Sequence, residues 1–360
     1  MASTIERRKE EHVKLVSESD VEYENVKPGF ADVEILPLAN RKRLDVSKIN
    51  IETKLLGKKL RAPIEIEAMT GGYDEGGRIN EELAQVAEKF GFAFCLGSQR
   101  AMIEQPELAE TYMVRRVAPK TLVFGNIGYA NLKEYDVKIL NEALKKIGAD
   151  ALYIHLNPQQ EEFQPEGNRV KLEKAFAEIK RVARGLKYPV AVKETGAGIE
   201  LEVAKKLVAS GVKIINVAGA GGTSWGRVEI VRGNGRGDYE KGVFPTVDCI
   251  VSCAQLRKKG VKLIASGGVR NGRDVAKAIA LGADLAGLAK PFLHAYNENK
   301  LELFCRGIVG GLREEMARVG AKNLNDLQKC KVRISGATAK RLNKKKNGVR
   351  MKLDERVELV

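Results

Sequence analysis

The 360-residue chain has little of what marks a secreted, metal-stapled or membrane-embedded protein. Its five cysteines (95, 249, 253, 305 and 330) are odd in number and form no Cys-x-x-Cys pair, so neither a disulfide framework nor a structural zinc site is expected. The first thirty residues hold Arg7, Arg8, Lys9, Glu10, Glu11 and His12 but no apolar signal core. No later window approaches the ~20 apolar residues that span a bilayer. These absences point to a soluble, cytoplasmic protein that is not exported and has no membrane partner. Three histidines, without a His-x-x-x-His pair or a Cys/His cluster, leave no ligand set for a caged metal. Aromatics make up only 6% of the chain and no nucleic-acid-binding motif is present. The net charge of +15 is therefore read as serving small polyanions rather than nucleic acid.

What is present, 44% apolar and 30% charged residues, suffices for a large core in the size range of one α/β barrel. Eight short β-rich runs recur: Pro63 to Ala68, Phe92 to Leu96, Leu122 to Asn126, Ala151 to Leu156, Val190 to Lys193, Ile214 to Val217, Leu263 to Ala265, and Leu285 to Ala289. Amphipathic stretches such as Asn80 to Phe90 and Leu172 to Leu186 lie between them with apolar residues at helical spacing. This alternation predicts a closed (β/α)8 TIM barrel. The expected division is an extension over residues 1–60 that caps the mouth, a barrel over 61–335, and a basic tail over 336–360. The tail carries Lys340, Arg341, Lys344, Lys345, Lys346, Arg350 and Lys352, and such a run usually forms a solvated rim. The longest gap between strands holds Gly233-Asn234-Gly235-Arg236-Gly237-Asp238, a candidate mobile loop, before a helix starting near Pro245.

Functional groups of such barrels gather at the C-terminal ends of the strands. There the chain places Met69-Thr70-Gly71-Gly72, Gly97-Ser98-Gln99-Arg100, Asn126, His155-Leu156-Asn157-Pro158-Gln159-Gln160-Glu161, Lys193-Glu194-Thr195, Gly221-Gly222-Thr223-Ser224-Trp225 and Ser266-Gly267-Gly268-Val269-Arg270. Each is a weak signal alone, but seven in register are specific. Gly267 and Gly268 allow close backbone approach to a ligand, and a following helix N-terminus favours an anion. With Arg270 and Lys290 flanking, they read as a phosphate site after strands seven and eight. Lys193, on an apolar inward strand, needs an anionic partner: a ligand, or in the structural alternative Glu194 or Glu229. His155 could equally be a satisfied hydrogen-bonding residue. Glu161 is placed to hold Mg²⁺ on a diphosphate, and Trp225 to cover an apolar tail.

Together with Arg8-Lys9-x-Glu11-His12, these motifs resemble the type 2 isopentenyl-diphosphate isomerases over residues 8 to about 330. Gly-Gly-Thr-Ser-Trp with His-Leu-Asn-Pro-x-Gln-Glu separates that family from its hydroxy-acid-oxidase relatives. The resemblance implies an FMN-linked barrel that converts isopentenyl diphosphate to dimethylallyl diphosphate in isoprenoid biosynthesis. It also implies NADPH to keep the flavin reduced, Mg²⁺ on the substrate, and a homo-tetramer or homo-octamer. It assigns FMN to Ala68, Met69, Thr70, Gly71, Ser98, Asn126, Lys193 and Thr223, with its phosphate near Gly267, Gly268, Arg270, Ala289 and Lys290. It assigns substrate to Arg8, Lys9, His12, Ser98, Gln99, Arg100, Asn157, Gln160, Ser224 and Trp225, and metal to Glu161. Proton transfer is expected at the flavin, with Gln160 and His155 orienting or relaying and Lys193 stabilising the anionic reduced ring. Two departures stand out. Gly242-Val243-Phe244-Pro245-Thr246 replaces a Trp-Gly-Ile-Pro-Thr-like stretch, and the basic end beyond about Ser335 has no family role.

The main rival is an FMN-dependent 2-hydroxy-acid dehydrogenase or oxidase. That chemistry calls for a His-Gly-Gly-Arg arrangement after strand seven, where this chain has Ser266-Gly267-Gly268. A nucleotide dehydrogenase would need a reactive cysteine on an active-face loop, and no cysteine falls convincingly on one.

Overall fold

The computed structural model describes residues 4–38, 43–165, 167, 170–233, 237–348 and 352–360. Eight parallel strands close into a barrel. In chain order, after β1 (Val33–Ile35), β2 (Thr53–Leu55) and β3 (Lys58–Leu60), they are β4 (Ile64–Ile66), β5 (Ala93–Cys95), β6 (Val123–Gly128) and β7 (Ala151–Leu156). The barrel is completed by β8 (Val190–Glu194), β9 (Ile214–Asn216), β10 (Lys262–Ala265) and β11 (Leu285–Leu288), and β11 pairs with β4 to close the ring. Each run expected from sequence overlaps its strand, and the ends differ by at most two residues.

Helices between the strands cover the barrel with one apolar face. In Asp74–Phe90, Ile79, Leu83, Ala84, Val86 and Ala87 are buried, and Gly91 ends the helix in the left-handed conformation at φ 69°. The sequence period placed this helix six residues too late, because its first turn, Asp74-Glu75-Gly76-Gly77, lacks large apolar residues. The helix expected near Pro245 runs Thr246–Cys253 with Pro245 as its N-cap.

A second cluster fills the barrel itself, including Ala93, Phe124, Tyr153, Ile214 and Ile264. Leu55 and Leu60 join it from the antiparallel hairpin β2–β3, which therefore plugs the end opposite the strands' C-termini.

The two ends of the chain meet on the outside. β1 pairs antiparallel with β12 (Val332–Ile334), which pairs parallel with β13 (Val357–Leu359). The division at residue 336 is accordingly not a physical boundary. Ala339 and Leu342 of helix Gly336–Gly348 are buried, and Arg341 forks onto the buried Asp248 at 3.0 and 3.1 Å. Lys345 stands over the Phe244 ring at 5.0 Å. The first half of the expected solvated tail is thus packed, because its basic side chains find a buried carboxylate and an aromatic face. Of the Gly- and Arg-rich loop, residues 234–236 lie outside the described residues, as do residues 349–351 and the Lys346 side chain of the basic run.

Candidate active site

The strand C-termini surround a cavity of about 260 Å³. The helix Thr4–Glu18 forms part of its wall: Arg8, Lys9, His12, Val13 and Val16 recur at helical spacing and all line it. The first helix of the N-terminal extension therefore covers the mouth, whereas its hairpin β2–β3 closes the opposite end.

Lys9 anchors that helix. Its ammonium donates to the Gly71 carbonyl at 2.5 Å, the Ser98 carbonyl at 2.9 Å and the Tyr112 hydroxyl at 2.5 Å. Burial, and secondly Arg8, pull its pKa down to about 7. His12 is tied to the buried Glu229 at 2.8 Å and meets the Trp225 ring edge-on at 5.1 Å. It thereby seats the tryptophan.

Asn126 and His155 meet beneath this cover. The Asn126 amide donates to the Leu96 carbonyl at 3.1 Å, which turns its oxygen to His155 Nδ1 at 2.8 Å. Burial, then Lys193 and Lys9, drive the His155 pKa down to about 3, so the imidazole is neutral. On the short helix Pro158–Phe163, Gln160 and Glu161 both face the cavity. Asn157 holds each by its side-chain NH₂ at 3.0 Å, while its own Oδ1, also buried, has no hydrogen-bond partner.

Lys193 is paired from within the protein, by neither of the two carboxylates considered in the sequence. Glu194 Oε2 instead gathers backbone N–H groups, including those of Thr195 at 2.6 Å and Gly196 at 2.5 Å, and Glu229 serves His12. The partner is Glu67, whose Oε2 lies 3.4 Å from the ammonium.

At the opposite side, glycines bring two loops into contact. A Cβ on Gly267 would fall 1.9 Å from the Gly219 carbonyl oxygen, and one on Gly268 2.6 Å from that of Gly221. Both residues have positive φ, 96° and 68°. The expected helix N-terminus after this turn is already served: Asn271 caps it, and Asp274 accepts from Arg270 N. The helix Lys290–Asn297 begins at the cavity without a side-chain cap. Arg270 and Lys290 line the cavity and are bridged by Glu22 at 2.6 and 3.4 Å. Glu22 belongs to a strap whose neighbour Tyr23 donates its N–H to the Gly222 carbonyl at 3.1 Å.

Of the residues assigned to catalysis, cofactor, substrate or metal, three do not line the cavity. Gly71 is turned onto Tyr112 and offers its carbonyl to Lys9. Gln99 is buried behind β6, against Gly125. Ser224 caps the helix Trp225–Val231 by accepting from Arg227 N. All the others line it, including Ala68, Met69, Thr70, Ser98, Arg100, Thr223 and Ala289. Glu67, Asn131 and Gln164 line it too and were not anticipated. The signal for Glu67 was available: in Ile64-Glu65-Ile66-Glu67 the acidic residues alternate, which turns both to the same face of an inward strand.

An FMN-dependent dehydrogenase family profile matches residues 154–334. Isopentenyl-diphosphate delta-isomerase of Methanothermobacter thermautotrophicus is 42% identical over 352 residues, covering 95% of this chain and 97% of that protein. The chain belongs to the isopentenyl-diphosphate delta-isomerase family. The Halobacterium salinarum isomerase is 40% identical over 92% of this chain and 94% of its own. Among solved structures, a mandelate oxidase mutant with an FMN adduct superposes with TM-score 0.63 at 15% identity, over 90% of this chain and 92% of that one. At that identity the likeness shows the barrel alone.

The delta-isomerase site fits FMN on its own chemistry. Gly267 and Gly268 line the cavity where a phosphate would sit, Arg270 and Lys290, here bridged by Glu22, would supply its counter-charge, and the Lys193 ammonium and Asn126 amide would supply polar groups for a ring. Among the described residues no group of three or more His, Cys, Asp or Glu could cage a metal. Glu161, the carboxylate of the helix Pro158–Phe163 that lines the cavity, suits an ion that arrives already bound to phosphate.

Proposed function

We propose that this chain converts isopentenyl diphosphate to dimethylallyl diphosphate with reduced FMN, without net redox change. The observation that carries the proposal is the helix Thr4–Glu18, which sets Arg8 and Lys9 over a cavity floored by neutral His155 and the Lys193–Glu67 pair. Arg8, Lys9 and Arg100 provide the positive charge for a diphosphate. Asn157 and Gln160 orient the substrate, and Glu161 holds the Mg²⁺ that comes with it, beside the unpartnered Asn157 Oδ1. Adding and removing a proton passes through a carbocation-like species that water would trap. Val13, Val16, Met69, Trp225 and Leu293 supply the apolar wall that keeps water away. FMN, when bound and reduced, supplies the proton-transferring group beside the double bond. His155 and Gln160 orient around it, and Ala68, Met69, Thr70, Ser98, Asn126, Lys193 and Thr223 hold the ring.

NADPH is the proposed reductant, and a homo-tetramer or homo-octamer the proposed assembly, testable by light scattering. A cytoplasmic location is supported by five free, buried thiols. Among the described residues no helix is long and apolar enough to cross a membrane.

The test is anaerobic turnover of isopentenyl diphosphate with FMN, NADPH and Mg²⁺, read by NMR, with each omitted in parallel. Product that requires reduced flavin and Mg²⁺ supports the proposal. Flavin that is bound and reduced while this substrate stays untouched, and a 2-hydroxy acid is oxidised, replaces it with the dehydrogenase reading.

A further inference from the structure

The barrel interior holds more ionisable groups than the isomerisation uses. Glu65 and Glu67 project inward from β4 and the residue after it, 0% and 4% exposed, and Lys193 enters from β8 at 5% exposed. Tyr153 donates its hydroxyl to Glu65 Oε2 at 3.2 Å, leaving Oε1 without a hydrogen bond. Glu67 Oε1 accepts from the Asn216 amide. That amide is fixed in orientation, because its oxygen accepts from Ser266 Oγ at 2.8 Å and Ala218 N at 3.2 Å. The ammonium donates to the Glu194 carbonyl at 2.8 Å and stands 3.4 Å from Glu67 Oε2.

Charge balance decides how these groups ionise. Of the other titratable neighbours, Cys95, Tyr153 and His155 are neutral, because burial pushes the thiol and the phenol well up and the imidazole down, and the Glu194 carboxylate is taken up by the backbone N–H groups of Thr195, Gly196 and Gly198. One ammonium then faces two carboxyls that are almost wholly buried, where an uncompensated carboxylate costs several kcal/mol. One carboxyl must keep its proton. Glu67 has an amide donor and the ammonium; Glu65 has only a neutral phenol. Burial first, then the Glu67 charge, raise the Glu65 pKa well above the ordinary carboxyl value.

We infer that Glu67 is a charge-setting residue for the flavin: ionised, it neutralises Lys193 at the cavity floor, while Glu65 beneath it stores the proton that makes this pairing possible. The floor then presents an ion pair to the cofactor rather than a bare cation. Lys193 stabilises the negative charge of the reduced ring less than an unpaired ammonium would, and the reduction potential is held low. Glu67 acts through Lys193 and is a positioning residue.

This inference rests on the FMN reading of the site, and its test uses the FMN-loaded full-length protein. Reductive titration with dithionite against an indicator dye gives the midpoint potential of wild type, Glu67→Gln and Glu65→Gln. Glu67→Gln is expected to shift the equilibrium toward reduced flavin by tenfold or more, about 30 mV for two electrons. Glu65→Gln, which mimics an acid already neutral, is expected to leave it within about threefold, ~15 mV on the same scale. No shift in Glu67→Gln, or an equal shift in both variants, overturns the assignment. If Glu67→Gln does not retain flavin, infrared spectroscopy of the wild-type holoenzyme decides. A protonated-carboxyl C=O band that Glu65→Gln removes supports the inference, and its absence overturns it. If the variants show these shifts while the wild type leaves isopentenyl diphosphate untouched, the isomerase proposal fails and this one stands.

Discussion

Asn126 determines which nitrogen of His155 carries the proton. Its NH₂ is committed to the Leu96 carbonyl, so its oxygen faces Nδ1 at 2.8 Å and that nitrogen must be the donor. Nε2 is left as the acceptor. Replacing Asn126 with Ala releases the tautomer, and turnover is expected to fall on the order of tenfold or more. Steady-state kinetics with flavin saturating check this; an unchanged kcat means the tautomer does not matter.

The same histidine sets an acid limit on stability. Its native pKa of about 3 lies below the ordinary 6.5, so the unfolded chain takes up this proton first as acid is added. Stability from this group is present above pH 6.5 and is lost as pH falls toward 3, at up to about 1.4 kcal/mol per pH unit. Urea unfolding of wild type and His155→Asn across that range should show the shallower dependence in the variant.

Lys9 predicts a pH effect of the opposite sense on substrate binding. Its pKa of about 7 makes it charged below neutrality and neutral above. The KM for the diphosphate should therefore rise as pH increases through 7. The three N–H groups of its ammonium are held by Gly71, Ser98 and Tyr112, so Lys9 acts on the diphosphate through charge alone, and Lys9→Met should raise KM about threefold at pH 6 and far less at pH 8.5. Parallel pH dependence in both proteins would assign the effect elsewhere.

Gly267→Ala should abolish FMN retention. The added methyl meets the Gly219 carbonyl, and a φ of 96° disfavours any side chain. Flavin absorbance after gel filtration reads the result, with circular dichroism to confirm that the barrel persists.

Arg341→Met removes the main partner of a fully buried carboxylate. Lys345 remains 3.9 Å from Asp248 and Arg341 is itself partly exposed, so the cost should be about 2 kcal/mol, below the ~3–5 kcal/mol of a wholly buried pair. Denaturant unfolding should register this loss while turnover by the folded enzyme stays unchanged.

Local patterns disclosed the frame of the site. The eight strands, the helix spacing of Arg8, Lys9 and His12, and the positions of His155, Lys193 and Gly267 are all properties of short windows, and each lies where those windows place it. Pairings between distant segments were not legible in the same way. Lys193 selects Glu67, 126 positions upstream, because strand closure turns both into one interior. Glu22 reaches Arg270 because the strap lies along the loop after β9. Gln99 and Ser224 sit inside correct motifs but turn away from the cavity, since they lie beyond the strand ends, where alternation no longer orients a side chain.

The plug formed by Leu55 and Leu60 governs traffic as well as packing. With the far end of the barrel stoppered, cofactor and substrate must share one doorway, and the helix bearing Arg8 and Lys9 stands across it. A flavin seated beneath the substrate would have to enter before it and leave after it, so one catalytic cycle would exchange only the outer guest.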